Sequence, residues 1–208
     1  MGGRAARNRP NSLVLPEIIE PEFLLGGYST GYFPMADSRT GEIHWYAPAR
    51  RGIIPLDSFR VSRSLDQTLR KKIFDVRLNA SFEQVIRACA ERPDTWISEE
   101  IVQSYLRLHR LGFAHSVESW KHDVLSGGLY GVALGAAFFG ESMFSREKDA
   151  SKVALVHLVG RLRSRKFDLL DTQFVTPHLA RFGAVEIDRA DYLVLLRKAV
   201  RRKRLFLD

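Results

Sequence analysis

The stretch Gly127-Gly-Leu-Tyr-Gly131-Val-Ala-Leu-Gly135-Ala-Ala-Phe-Phe-Gly140-Glu-Ser-Met-Phe-Ser145 decides the fold. Its apolar residues lack the three-to-four spacing of an amphipathic helix, and glycines punctuate the run. That pattern predicts two strands with a turn near Gly135. In the second strand, simple alternation puts Phe139, Glu141, Met143 and Ser145 on one face and Phe138, Gly140, Ser142 and Phe144 on the other. A helix follows over 150–163, started by Asp149 and apolar at Val153, Ala154, Val156, Leu158 and Val159. So broad an apolar surface marks a mostly buried helix. Phe167 to Leu170 is then a short apolar strand, with Asp171 just past its end. Strand, strand, helix, strand implies an α/β (α+β) protein with a mixed central sheet.

Working outward, Phe74-Asp-Val-Arg-Leu78 and Ala114 to Trp120 read as further strands. Ser64-Leu-Asp-Gln67 and Ser81-Phe-Glu-Gln84 have the spacing of capping boxes and predict helix starts. A helix over 99–110 buries Ile101, Val102, Tyr105 and Leu108 and ends at Gly112. Asp188 starts a last helix that turns Tyr192, Leu195, Leu196 and Ala199 inward. Glycines and aromatics crowd between Phe23 and Pro48, which predicts a small loop-rich N-terminal domain (1–49) with the aromatics as its core, ahead of a larger domain (50–208). Residues 1–22, with three prolines, are expected to run along the surface.

A chain of 208 residues with 45% hydrophobic and 27% charged residues suits one compact unit or a domain with an appendage. The formal charge of +8 invites an anionic partner. Three Arg lie in residues 1–9 and six Lys or Arg in 197–204, so the body between is nearly neutral. Cys89 is the only cysteine, which excludes a disulfide framework and a thiolate zinc site. No apolar run approaches the roughly 18–20 residues of a membrane span, and the basic N-terminus lacks the apolar stretch of a signal peptide. The expected location is the cytoplasm, with no membrane partner. No Walker loop, Gly-x-Gly-x-x-Gly or Gly-x-Ser-x-Gly is present, and the six histidines lack metal-ligand spacing, so no metal is expected.

Three constellations can carry chemistry. In Phe138 to Arg146, Glu141, Ser142, Ser145 and Arg146 interleave with large apolar groups; a carboxylate there is either functional or half of a Glu141–Arg146 ion pair. Asp171 and Gln173 lie on one side of an extended segment, where together they orient an amine or, alternatively, build a turn and helix cap. Arg60, Arg63, Arg70, Lys71 and Lys72, opposed only by Asp66, form either a phosphate-contacting face or a solvated one.

As an ordered set the motifs are specific. Gly31-Tyr-Phe-Pro34, Ile43-His-Trp-Tyr46, Thr95-Trp-Ile97, Ala114-His-Ser-Val-Glu118, Gly127-Gly-Leu-Tyr-Gly131, Gly140-Glu-Ser-Met-Phe-Ser145 and Asp171-x-Gln173, followed by His178-Leu and Phe182-Gly-Ala184, occur in that order over residues 23–196. The chain thereby resembles the bacterial leucyl/phenylalanyl-tRNA–protein transferases. The resemblance implies a GNAT-like acyltransferase fold preceded by a small N-terminal domain. It implies an enzyme that moves Leu, Phe and less readily Met from aminoacyl-tRNA to proteins with N-terminal Arg or Lys, marking them for N-end-rule degradation. No cofactor is implied, and a monomer is expected. By position, Glu141, Asp171 and Gln173 match the catalytic centre. Phe138, Trp96 and Tyr28 match site aromatics, and Leu129, Met143, Leu155 and Leu170 match the amino-acid pocket. Met35 and Tyr46 stand where the family often carries Trp. Arg60 to Lys72 is the candidate tRNA-backbone face. Two rivals remain at this point: an acyl-CoA-dependent acyltransferase, against which the missing pyrophosphate loop argues, and a non-catalytic RNA-binding module.

Overall fold

The computed structural model describes residues 18–207. The expected surface course of residues 1–17 lies outside the described residues. Helix α1 (Pro21–Thr30) leads into a hairpin of β1 (Phe33–Ala36) and β2 (Ile43–Tyr46). The remaining strands form one seven-stranded sheet: β3 (Arg50–Ile53), β4 (Asp75–Leu78), β5 (Ala114–Lys121), β6 (Val124–Leu134), β7 (Ala137–Ser145), β8 (Leu169–Gln173) and β9 (Val185–Asp188), ordered β4-β5-β6-β7-β8-β3-β9. Only β7 and β8 run parallel, connected through α5 (Ala150–Ser164). The mixed α/β architecture read from residues 127–171 is the one present.

The sheet is buried on both faces. One face carries Tyr130, Val132, Phe139 and Phe144 against α1, α3 (Phe82–Ala90), α4 (Glu99–Arg110) and α7 (Arg189–Val200). The other carries Val117, Leu129, Phe138 and Leu170 against α5 and α2 (Arg63–Arg70). The short α6 (Pro177–Ala180) follows β8.

Several local expectations change. Helix α3 starts after Ser81 but without a side-chain capping bond, and Leu195 of α7 is 42% exposed rather than inward. The segment read as loop-rich contains α1: Pro21 suits its first turn, and Gly31 closes it at φ +86°. Gly27 is required there, because a Cβ would lie 2.3 Å from the Trp45 ring. The N-terminal aromatics do not form a core of their own: Tyr28 and Phe33 join the cluster of α3, α4 and α7, while Tyr32, Trp45 and Tyr46 stay about 40% exposed. Helix α2 is capped by Ser62, whose hydroxyl accepts from the Leu65 amide, rather than by Ser64. Asp171 lies within β8, not beyond it.

The most consequential change is in β7. Its pairing with β6 runs Gly131↔Gly140 and then Tyr130↔Ser142, which leaves Glu141 as the extra residue of a β-bulge. Parity flips there. Phe138 and Met143 therefore share one sheet face, and Phe139 and Phe144 the other, contrary to simple alternation.

Candidate active site

The bulge turns Glu141 into the interior instead of along the pleat. Its Oε1 accepts from the Tyr28 hydroxyl at 2.7 Å and the Gln173 Nε2 at 2.9 Å, and its Oε2 from the Tyr105 hydroxyl at 3.3 Å. Tyr28 and Tyr105 are also hydrogen-bonded to each other. Among the described residues no cation touches this carboxylate: Arg146 pairs with Glu91 instead. Burial pushes the Glu141 carboxyl up to about 7, the Tyr28 bond opposes that, and the charge of Asp171 adds to it. Burial and the neighbouring Glu141 charge push both tyrosines well above their ordinary range, so they act as neutral donors.

Asp171 sits one strand over, in β8, and is fully buried. Arg51 of β3 meets it side-on, Nε to Oδ1 at 3.0 Å and Nη2 to Oδ2 at 2.7 Å. The Tyr192 hydroxyl donates to Oδ2 at 2.6 Å and the Gln173 amide to Oδ1 at 2.8 Å. Burial alone would lower the Arg51 pKa, but the Asp171 charge and its hydrogen bonds outweigh it and raise it. The guanidinium is also sandwiched, 4.5 Å from the Phe33 ring centroid and 4.7 Å from that of Tyr192, and its Nη1 reaches the Gly31 carbonyl at 3.1 Å. One ion pair thus ties β3, β8, α7 and the end of α1 together.

Gln173 joins the two carboxylates. Its backbone is held by Asp171 and its side chain by Glu141. It occupies φ +56°, inside a three-residue turn closed by Phe174 N to Thr172 O at 2.6 Å. A non-glycine residue there carries backbone strain that the surrounding bonds must hold. Gly52 makes room for the turn: a Cβ on it would lie 2.6 Å from the Phe174 carbonyl carbon. A carboxylate only accepts hydrogen bonds, so Gln173 gives Glu141 its NH₂ and keeps its amide oxygen as an acceptor.

Glu141 and Gln173 line a cavity of about 600 Å³. Leu129, Met143, Leu155 and Leu170 supply its apolar wall, and Trp96 and Met35 line it as well. Two further polar atoms of this lining are buried without a hydrogen-bond partner: the Tyr130 hydroxyl and His178 Nε2. Such atoms in a cavity wall are ready to bond a guest.

The structure thus brings Glu141, Gln173, Trp96, Leu129, Met143, Leu155 and Leu170 to one cavity. Asp171 and Tyr28 lie behind its wall. Phe138 is fully buried in the α5 layer, 5.2 Å from the Phe206 ring centroid, and does not line the cavity. Arg60, Arg63, Lys71 and Lys72 are exposed on and around α2, and Arg70 pairs with Asp66 at 2.9 Å. Sequence reasoning missed Arg51, Tyr105, Tyr130 and Tyr192 as site residues. The Arg50-Arg51-Gly-Ile53 run held the only local hint, a charge beside a strand-like pair.

Two family models match the chain: "Leucyl/phenylalanyl-tRNA protein transferase" over residues 53–197, and the N-terminal domain of the same family over residues 18–49. Curated relatives carry the same description. One from Chlorobaculum parvum is 51% identical over 91% of this chain and 100% of its own length, and one from Chlorobaculum tepidum is 52% identical over 89% and 98%. One from Paramagnetospirillum magneticum is 58% identical over 82% of this chain and 84% of its own. With its glutamate, glutamine and apolar cavity accounted for residue by residue, the chain belongs to the leucyl/phenylalanyl-tRNA–protein transferase family of aminoacyltransferases.

Proposed function

We propose that this enzyme moves Leu or Phe, and less readily Met, from aminoacyl-tRNA to the α-amine of proteins that begin with Arg or Lys, as a cytoplasmic monomer feeding N-end-rule degradation. The observation that carries the reading is the Gln173–Glu141 hydrogen bond at the wall of a cavity whose other side is apolar at Leu129, Met143, Leu155 and Leu170. The donor is already an activated ester, so transfer needs an attacking amine, a held carbonyl and a place for the tetrahedral oxyanion's charge. The Gln173 amide oxygen accepts from the α-amine and aims its lone pair. The nitrogen sheds one proton and the leaving ribose oxygen gains one.

The sequence puts Asp171 and Gln173 on one side of an extended segment, where together they orient an amine. The contacts support a division instead: Asp171 holds the backbone of Gln173 and Glu141 holds its side chain. Asp171 faces Arg51, so the negative wall for a cationic acceptor falls to Glu141. Leu129, Met143, Leu155 and Leu170 suit an unbranched-β side chain, and the flexible methionine adapts to both Leu and Phe. Arg60, Arg63, Lys71 and Lys72 suit phosphate contacts.

The test supplies purified protein with charged tRNA and a Lys- or Arg-initiated peptide. Leucyl and phenylalanyl transfer is expected, with valyl transfer about 10-fold or more slower. Equal valyl and leucyl rates would remove the pocket assignment. Transfer from acyl-CoA but not from aminoacyl-tRNA would remove the whole reading.

A further inference from the structure

Read along the chain, the positive charge divides between two ends. The fold rearranges it. The C-terminal residues double back onto the end of α5: Arg161 donates to the Phe206 carbonyl at 2.6 Å, Arg165 to the carbonyls of Leu205 and Leu207, and Arg204 to that of Lys166 at 3.3 Å. Phe206, 2% exposed, anchors the tail in the α5 layer beside Phe138 and His115. Residues 161–168 and 197–207 thereby form one pole. They hold ten Lys or Arg against one Asp, a net of +9, while the whole chain carries a formal +8.

This pole is shaped as well as charged. A groove of about 780 Å³ is lined by Gly135, Ser164, Arg165, Lys166, Lys203 and Arg204. Lys166, Lys198, Arg201 and Lys203 are exposed and make no ion pair among the described residues. A purely local explanation falls short. The C-termini of α5 and α7 both end here, and two helix ends offer about one negative charge together. Among the described residues, Lys166, Lys198, Arg201 and Lys203 still have no ionic partner.

The pole lies at the far end of α5 from the cavity. Ser151, Leu155 and Leu158 of that helix line the cavity, and the six residues after Leu158 carry it about 9 Å further to its end at Ser164. We infer that the groove between the end of α5 and the C-terminal tail is a second binding site for the donor RNA, taking its phosphodiester backbone while the aminoacyl end occupies the cavity. The inference rests on the aminoacyl-tRNA reading above. A ligand held only by its reacting end has nothing at this distance to contact, whereas a long polyanion does. Its contribution is to affinity and not to chemistry, because no residue of the pole lines the cavity.

The test compares the wild type with Lys166→Gln/Lys198→Gln/Arg201→Gln/Lys203→Gln. Two quantities are read: binding of whole tRNA across a salt series, and transfer kinetics with whole aminoacyl-tRNA and with a short aminoacyl-adenosine donor. The expected slope of log affinity against log salt shrinks by about 3, since each of the four lost phosphate contacts removes about 0.7–0.9. KM for whole aminoacyl-tRNA rises about 10-fold or more at low salt, while kcat and the KM of the short donor stay put. An unchanged salt slope overturns the inference. So does an equal loss with the short donor, which would mean the substitutions act through the fold. Loss of binding to phosphatidylserine vesicles with tRNA binding intact overturns it in favour of a membrane surface. The stepwise series Lys203→Gln, then Lys203→Gln/Lys198→Gln, gives graded slopes should the fourfold variant fold poorly. If wild-type protein binds tRNA with the predicted slope change but transfers nothing from it, the functional reading fails and the binding surface stands.

Discussion

Glu141 and Asp171 are carboxylates on neighbouring strands, both withdrawn from solvent, and only one of them faces a cation. Asp171 is itself paired, with Phe139 on one side and Ile53 on the other, the irregularity of β8 falling on Thr172 beside it, and Arg51 bonds both of its carboxylate oxygens. Glu141 occupies a bulge, lines the cavity, and is met only by two phenols and an amide. The difference separates two jobs that a composition reading merges. A carboxylate with a fixed, buried counter-ion is architecture: it cannot offer charge to a substrate. A carboxylate bonded by neutral donors feels the Arg51 cation only at a distance, and its proton affinity moves to the physiological range.

The sharpest way to break this comparison is to remove the architectural member. Asp171→Ala strands Arg51, 1% exposed, without its partner. A buried charge left alone costs about 3–5 kcal/mol, so urea unfolding should show a loss of that size together with lost transfer. Asp171→Asn keeps the shape and should lose less stability. Wild-type stability in Asp171→Ala would mean the Arg51 pair does not hold the site together.

The second prediction concerns Glu141. Its folded value of about 7 exceeds the ordinary 4.5, so the folded state retains a proton over that window that the unfolded state has lost. The group's contribution to stability is present below about 4.5 and is lost as pH rises through 7. Relative to Glu141→Gln, the wild type should therefore lose roughly 3 kcal/mol between pH 4.5 and 8. In transfer, the wild-type rate should rise with pH near 7 as the anion forms, and again near 8 as the acceptor amine deprotonates. Glu141→Gln should lack the first rise and be about 100-fold slower. Parallel stability curves for the two proteins would show that Glu141 already has a counter-charge.

The same contrast explains what was legible in the sequence. Helix 99–110 was readable because its periodicity, its acidic first turn and Gly112 are local signals that agree. Asp171 and Gln173 stood out because polar residues follow an apolar strand. The bulge was unreadable: one inserted residue leaves every residue type plausible on either face, and only the pairing with β6 reveals the flip between Phe138 and Met143. Arg51 was unreadable for a different reason. Its partner lies 120 residues away, and a burial decision made by strand pairing at that separation has no local signature. Tyr28 and Tyr105 looked like core aromatics, which their rings are; what the sequence could not display is the shared destination of their hydroxyls. Helix α1 was hidden by Gly26 and Gly27, whose intrinsic penalty local reading counts, while the packing of Gly27 against Trp45 is something it cannot see.

The smallest expected effect tests the boundary between the two jobs. Tyr130 stands on β6 beside the bulge, with its ring packed edge-on against Phe82 and Tyr105 and its hydroxyl buried without a partner. If that hydroxyl were architectural, like that of Tyr192, it would hold a bond in the resting protein. Among the described residues it has none, so Tyr130→Phe removes a desolvated group at no loss of packing and should stabilise the fold by about 1 kcal/mol. If the same oxygen bonds the substrate in the cavity, the variant should also lose about 10-fold in kcat/KM, equivalent to one hydrogen bond. A stabilised variant with reduced transfer places Tyr130 with Glu141 on the working side of the comparison. Unfolding and transfer measured on one preparation decide it, because destabilisation would put Tyr130 with Tyr192 instead.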